Sequence, residues 1–231
     1  MEESVESVMN EIRAGLERLE SILPSRVDPM AVSRTAKLPF KGLVYRAALI
    51  WRMAELGRIA FESFENDKLA SAILLTRAAI ETSAALWYLC AKLEKTVQSG
   101  KVGDIDEYLM KLMMGSKIDA DMPSAINVLT FVDHVDKEID GFRHQYDILS
   151  EFAHPNGAGT TGLYSKFDPS TRLTDFGPKV RDNDGLKLAG VFDLSVSLAM
   201  FEDTCSRILN LIAAFVVLCE SQLKTAASDK D

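Results

Sequence analysis

Cysteine is scarce in this chain. Cys90, Cys205 and Cys219 are the only three in 231 residues, each in an apolar run and none in a CxxC pair. That usage excludes a disulfide-stapled scaffold and points to buried free thiols in a reducing, cytoplasmic setting. A chain of this length buries a sufficient core without staples. Basic residues are also in the minority, 26 Lys and Arg against 34 Asp and Glu, for a net charge of −8 and a pI near 5.0. Such a chain repels polyphosphate at long range, which excludes broad, non-specific nucleic-acid binding but not a local basic pocket. No uncharged apolar run reaches the roughly 20 residues of a membrane-crossing helix. The stretch from Leu69 to Ala91 carries Arg77 and Glu81, both costly in lipid, and the run from Ile208 to Cys219 is about half the needed length. Both are expected to be buried core helices, with no membrane contact. The N-terminal "MEESVESVMNEIRAGLERLE" is acidic and amphipathic, unlike a signal or transit peptide. There is no internal repeat, and no motif that fixes a reaction.

What is present is helical periodicity. Val5, Val8, Ile12, Leu16 and Leu19 form one stripe of a first helix over about 2–22, which "LPSRVDPM" ends. A loop reaches Pro39. A second helix runs over about 42–64, and the turn "END" leads to a third over about 68–97, apolar nearly all round and so central in a bundle. Shorter helices are expected over about 104–115, 123–139 and 142–154, the last stopped by Pro155. Residues 155–186 lose the helical period, and "GLYSKFD" and "RLTDFGP", joined by "DPST", suggest a short hairpin near 162–176. A long helix closes the chain over about 186–224, followed by a frayed tail "TAASDKD". The expectation is an all-α antiparallel helical bundle: an N-terminal helix and linker over 1–38, then a bundle domain over 39–231 with an irregular insertion at 155–186. Leu74, Leu75, Ile80, Leu86, Leu211, Ile212 and Phe215 are expected in the core.

The segment "YDILSEFAHPNG", residues 146–157, carries the candidate chemistry. At about 100° per residue, Arg143, Asp147, Ser150 and His154 share one helix face, Tyr146 flanks it, and Ile148, Leu149 and Phe152 lie opposite. Two readings fit this stripe: a solvated polar face, or one wall of a groove. In the groove, Arg143 and the backbone N–H groups of "PNGAGTTG", from Asn156 onward, would hold an anion, and His154 would serve as general acid or base beside Ser150. Glu151 and His154 form one Glu-x-x-His unit, but no second unit exists to complete a di-metal site, so neither a metal nor another cofactor is expected. Arg77 and Glu81, i and i+4 on the apolar third helix, read as a structural ion pair or as the far wall of the same pocket.

The pair "LLTRAAIETSAALWYL" and "YDILSEFAHPN" resembles bacterial helical proteins similar in build to the HEPN superfamily. The resemblance covers about residues 42–155. It implies an antiparallel bundle, commonly a dimer, that acts either as a metal-independent ribonuclease or as a nucleotide-binding partner in defence and toxin systems. On that resemblance His154 carries the acid–base role, Arg143 the phosphate contact, and Ser150 the polar position between them. Arg143 and His154 stand three turns apart, roughly 16 Å along a helix axis, so they would meet one phosphate only across a dimer. Two functions follow as expectations. One is a homodimeric binding or interaction module with a polar groove around Arg143, Ser150 and His154, with Tyr146, Asp147, Asn156, Arg77 and Glu81 as ligand contacts. The other is an RNA- or nucleotide-directed phosphodiester enzyme.

Overall fold

The computed structural model describes residues 5–228. The expected start of the first helix near residue 2 and the last three residues of the expected frayed tail lie outside them. Nine helices are described: α1 (Val5–Ser21), α2 (Pro29–Val32), α3 (Leu38–Glu65), α4 (Leu69–Ser99), α5 (Ile105–Met114), α6 (Val128–Asp136), α7 (Phe142–Ala153), α8 (Thr161–Tyr164) and α9 (Asp184–Ser228). A two-stranded antiparallel hairpin, β1 (Ser165–Asp168) and β2 (Leu173–Phe176), precedes α9. The protein is an all-α bundle with one small hairpin.

Local chemistry accounts for the boundaries. α3 begins before the proline at 39 rather than after it, because the first turn of a helix needs no N–H from that residue. Asp28 accepts a hydrogen bond from the Met30 N–H at 2.9 Å and, with Pro29 in the first turn, starts the unexpected single turn of α2. Asn127 caps α6 in the same way through the Leu129 N–H at 3.0 Å, which sets that helix five residues later than the periodicity implied. The hairpin turn is organised by Asp168, whose Oδ1 accepts from the Ser170 N–H and hydroxyl at 2.8 and 2.7 Å. α9 runs on through Ser228, so residues 225–228 continue a helix that was expected to fray near 224.

α4 is the hub, packed against α3, α9, α6 and α7. Antiparallel packing holds for α3 against α4, where a tight turn joins them, and for α4 against α7, where Arg77 meets Ser150 and Glu81 meets Tyr146. α4 and α9 are the exception. Ser83 donates to the Ser197 carbonyl at 2.6 Å and Arg207 to Glu94 at 2.8 Å, so position numbers rise together and the two helices run parallel. The long crossover through α5–α8 and the hairpin returns the chain to the starting end of α4. Close approach there depends on Gly190, where a Cβ would stand 2.8 Å from both Ile73 and Phe64 side-chain atoms.

The core contains Ile80, Leu86 and Phe215, while Leu75, Leu211 and Ile212 pack against it half-buried. Leu74 is not in the core: it is 46% exposed. α4 is apolar on more of its surface than its neighbours cover, and periodicity gives no direction to a helix that is apolar all round. The three cysteines are free and buried, and burial pushes their thiols up, Cys90 to about 12 and Cys205 and Cys219 to about 11, so none is a ready nucleophile. Leu89→Ala should destabilise the fold by about 2–5 kcal/mol, since Leu89 is fully buried on α4, whereas Leu74→Ala should cost less than about 1 kcal/mol. Urea unfolding of both variants checks the pair, and equal costs would contradict this orientation of α4.

Candidate site at the seam of α4 and α7

α7 docks through Phe142, Tyr146 and Leu149, all buried. The inward face is therefore rotated from the expected one, because Tyr146 is a core residue with a polar tip rather than a flank of a polar stripe. Ile148 and Phe152, expected on the core face, are only half-buried. The rotation carries Ser150 towards α4 and splits the four-residue stripe into three environments.

Tyr146 and Ser150 meet Arg77 and Glu81. Arg77 Nε donates to Ser150 Oγ at 2.8 Å, and Nη2 donates to the Tyr146 hydroxyl at 2.6 Å. The Tyr146 hydroxyl donates to Glu81 Oε1 at 2.9 Å, and Ser150 donates to the Tyr146 carbonyl at 2.8 Å. Arg77 and Glu81 are also paired directly at 3.2 Å, and the guanidinium lies 4.9 Å from the Tyr146 ring centre. Burial, then the neighbouring Glu81 carboxylate, raises the Tyr146 phenol above its ordinary value, so it stays protonated and can keep donating. Arg77 remains 29% exposed, and among the described residues its Nη1 has no protein acceptor.

Arg143 is elsewhere. Its guanidinium is held by Asp147 at 2.9 Å and by Asp133 of α6, and both carboxylates raise its pKa. Its backbone N–H donates to Asp136 Oδ1 at 2.9 Å, fixing the start of α7. Asp147 is thus an exposed partner of Arg143, not a wall of the Ser150 site.

His154 follows α7 as its C-cap in extended backbone, φ −87° and ψ 149°, because Pro155 excludes the helical region for the residue before it. The helical relation expected between Ser150 and His154 is lost at that last residue. His154 is exposed, and among the described residues its imidazole has no hydrogen-bond or ion-pair partner. The loop behind it folds onto the end of α7: a Cβ on Gly159 would stand 2.0 Å from the His154 carbonyl oxygen. Three of its N–H groups are used internally. Gly159 donates to Asn156 Oδ1 at 3.0 Å, Thr160 to the Asn156 carbonyl at 3.0 Å, and Gly162 to the Gly157 carbonyl at 2.7 Å. Asn156 organises this loop and also donates to Glu151, so these groups do not form an anion nest.

Two features escaped the sequence reading. One is a cavity of about 530 Å3 between the α3–α4 turn and the start of α9, lined by Lys166, Lys179, Arg181 and Lys187. Lys179 and Lys187 are committed there to Asp67, at 2.7 and 2.6 Å, and hold its carboxyl down at about 2. The other is Asp193 on α9, whose Oδ2 is buried without a hydrogen-bond partner and whose carboxyl burial pushes up to about 6. An acid with no other charge between Leu188 and Met200 of a long apolar helix was its only visible signal. No family model, curated protein or solved structure matches the chain.

Two outcomes follow from these environments. Tyr146→Phe removes the hydroxyl shared by Arg77 and Glu81 and should cost about 1–3 kcal/mol, while Arg143→Ala should cost at most about 1 kcal/mol because its pairs are solvated. Chemical denaturation of both variants checks the order. For Asp193, the folded-state value lies above the unfolded one, so the folded protein holds an extra proton between about pH 4 and pH 6 and loses stability as pH rises through 6. Asp193→Asn should therefore raise Tm at pH 8 by about 2–4 °C and lose that advantage near pH 4. Melts at both pH values check it.

Proposed function

We propose that this protein is a homodimeric binding module rather than an enzyme, with its ligand face at the α4–α7 seam. The observation that carries this reading is the hydrogen-bond state of the seam. The Tyr146 and Ser150 protons are both donated to protein acceptors, to Glu81 and to the Tyr146 carbonyl, while Arg77 Nη1 has no acceptor among the described residues. Such a cluster can hold an anionic group and offers no free hydroxyl nucleophile, and its one base, the Glu81 carboxylate, is paired with Arg77 and accepts from Tyr146. Arg77 takes the anion contact that the sequence suggested for Arg143, and exposed His154, at the C-cap of α7, is the proposed second contact. RNA or a nucleotide is the ligand class that the resemblance to HEPN proteins suggests.

The dimer rests on α9. Between Ser206 and Ser221 its exposed residues include Leu209, Ala213, Ala214 and Val217, and none of the exposed positions is charged. A solvated helix face ordinarily carries charge. In a chain of net charge −8, an uncharged strip is where a second copy can approach without like-charge repulsion. α4 and α9 are both long and apolar enough to cross a membrane, but 56% of the relevant window is buried in α4 and only 28% in α9, so the uncovered surface belongs to α9.

Light scattering during size exclusion should give twice the 25.5 kDa chain mass for the wild type and the single mass for Val217→Glu. A wild-type monomer, or flotation of the wild type with phospholipid vesicles, refutes the dimer. A fluorescent single-stranded RNA should bind without cleavage, about tenfold more weakly to His154→Ala and unchanged to Arg143→Ala. RNA cleavage that disappears in His154→Ala would establish the phosphodiester enzyme instead.

A further inference from the structure

Asp193 lines a cavity of about 360 Å3 between α4, the α6–α7 corner and α9. The wall is mostly apolar, with Ile80 from α4, Ile139 and Phe142 from the corner, and Phe192 and Val196 from α9; Gln145 and Ser197 are its uncharged polar side chains. Its charged residues are Asp193 and, at the exposed rim, Asp140; no Lys, Arg or His lines it. Asp193 Oδ2 is buried and has no donor among the described residues. The nearby Ser197 hydroxyl is used, donating at 2.7 Å to the backbone carbonyl of Asp193 and not to its carboxylate. A buried carboxylate oxygen without donor or counter-charge is an uncompensated cost, and native structures rarely keep one without a use.

We infer that this cavity binds a small organic amine, with Asp193 as its counter-ion and the apolar wall around its hydrocarbon body. An ammonium group at the Asp193 carboxylate supplies a donor and the missing counter-charge together. The volume lies at the lower end of the range for small-molecule sites, which fits an amine carrying one ring or a short chain rather than a larger ligand. The inference is independent of the dimer and of the α4–α7 seam, whose charged groups pair with one another.

The test uses phenethylamine and its neutral counterpart 2-phenylethanol as probes on the full chain, in an amine-free phosphate buffer at pH 7.5. Phenethylamine should raise Tm in a saturable way, and 2-phenylethanol should bind at least tenfold more weakly. Asp193→Asn should abolish that preference. Val196→Trp, at a half-exposed position on the mouth, should block the amine while keeping the carboxylate and the fold. Equal binding of the two probes, or an amine shift that persists in either variant, overturns the assignment. If Asp193→Asn fails to fold, Val196→Trp alone decides.

Discussion

Arg77 sits on a helix with neighbours on nearly every side, and that position dictates what its guanidinium must do. A charge on the hub of a bundle is tolerated only where other elements bring acceptors to it. Glu81, one turn along α4, supplies the counter-charge, and α7 supplies two hydroxyl oxygens. α7 is a short helix of 12 residues that buries only Phe142, Tyr146 and Leu149. Its rotation about its own axis is therefore set as much by the polar lock on Arg77 as by apolar area. Turning α7 so that Leu149 and Phe152 took the place of Tyr146 and Ser150 would leave Arg77 and Glu81 facing hydrocarbon.

The same constraint explains why the remaining polar residues of α7 are arranged as they are. Once Tyr146 and Ser150 face α4, the turn geometry places Arg143 and Asp147 towards α6, where Asp133 and Asp136 receive the guanidinium and the first free N–H of the helix. His154 is left out of both networks because Pro155 takes it off the helix. Arg77 partly covered and His154 exposed are consequences of that partition.

Much of this architecture was legible in the sequence. Long helices announce themselves by period, and "END" and Pro155 mark their ends by the conformations they permit. The candidate site was legible only in part. Arg77 and Glu81 stood out as charges in an apolar run, and Ser150 and Tyr146 as polar residues near the end of a helix. Their meeting was not readable, because a helical wheel groups residues by angle and cannot tell which side of an aromatic hydroxyl is inward. Tyr146, counted as polar, shifted the inferred core face by somewhat less than one residue's rotation, roughly 80° away from its true centre. Leu74 failed for a related reason, since an all-round apolar helix has no angular signal to misread or to read. Asp67 and its lysines are joined over more than a hundred residues by the long crossover, which no local pattern records.

α4 and α9 illustrate two ways for an apolar helix to carry a charge. α4 has its ion pair locked by two hydroxyls from a third helix. α9 has Asp193, for which the described residues bring no donor to Oδ2, and farther along it has an exposed surface that lacks charge altogether. Both features of α9 are unfavourable for an isolated chain in water, one through a carboxylate short of a partner and the other through apolar surface left in solvent. They lie at different points along the helix, and they call for different chemistry: a cation at the first, and an uncharged complementary face at the second. One ligand cannot satisfy both. The helix packed along the hub thus also carries the two features that a group from outside the chain would relieve.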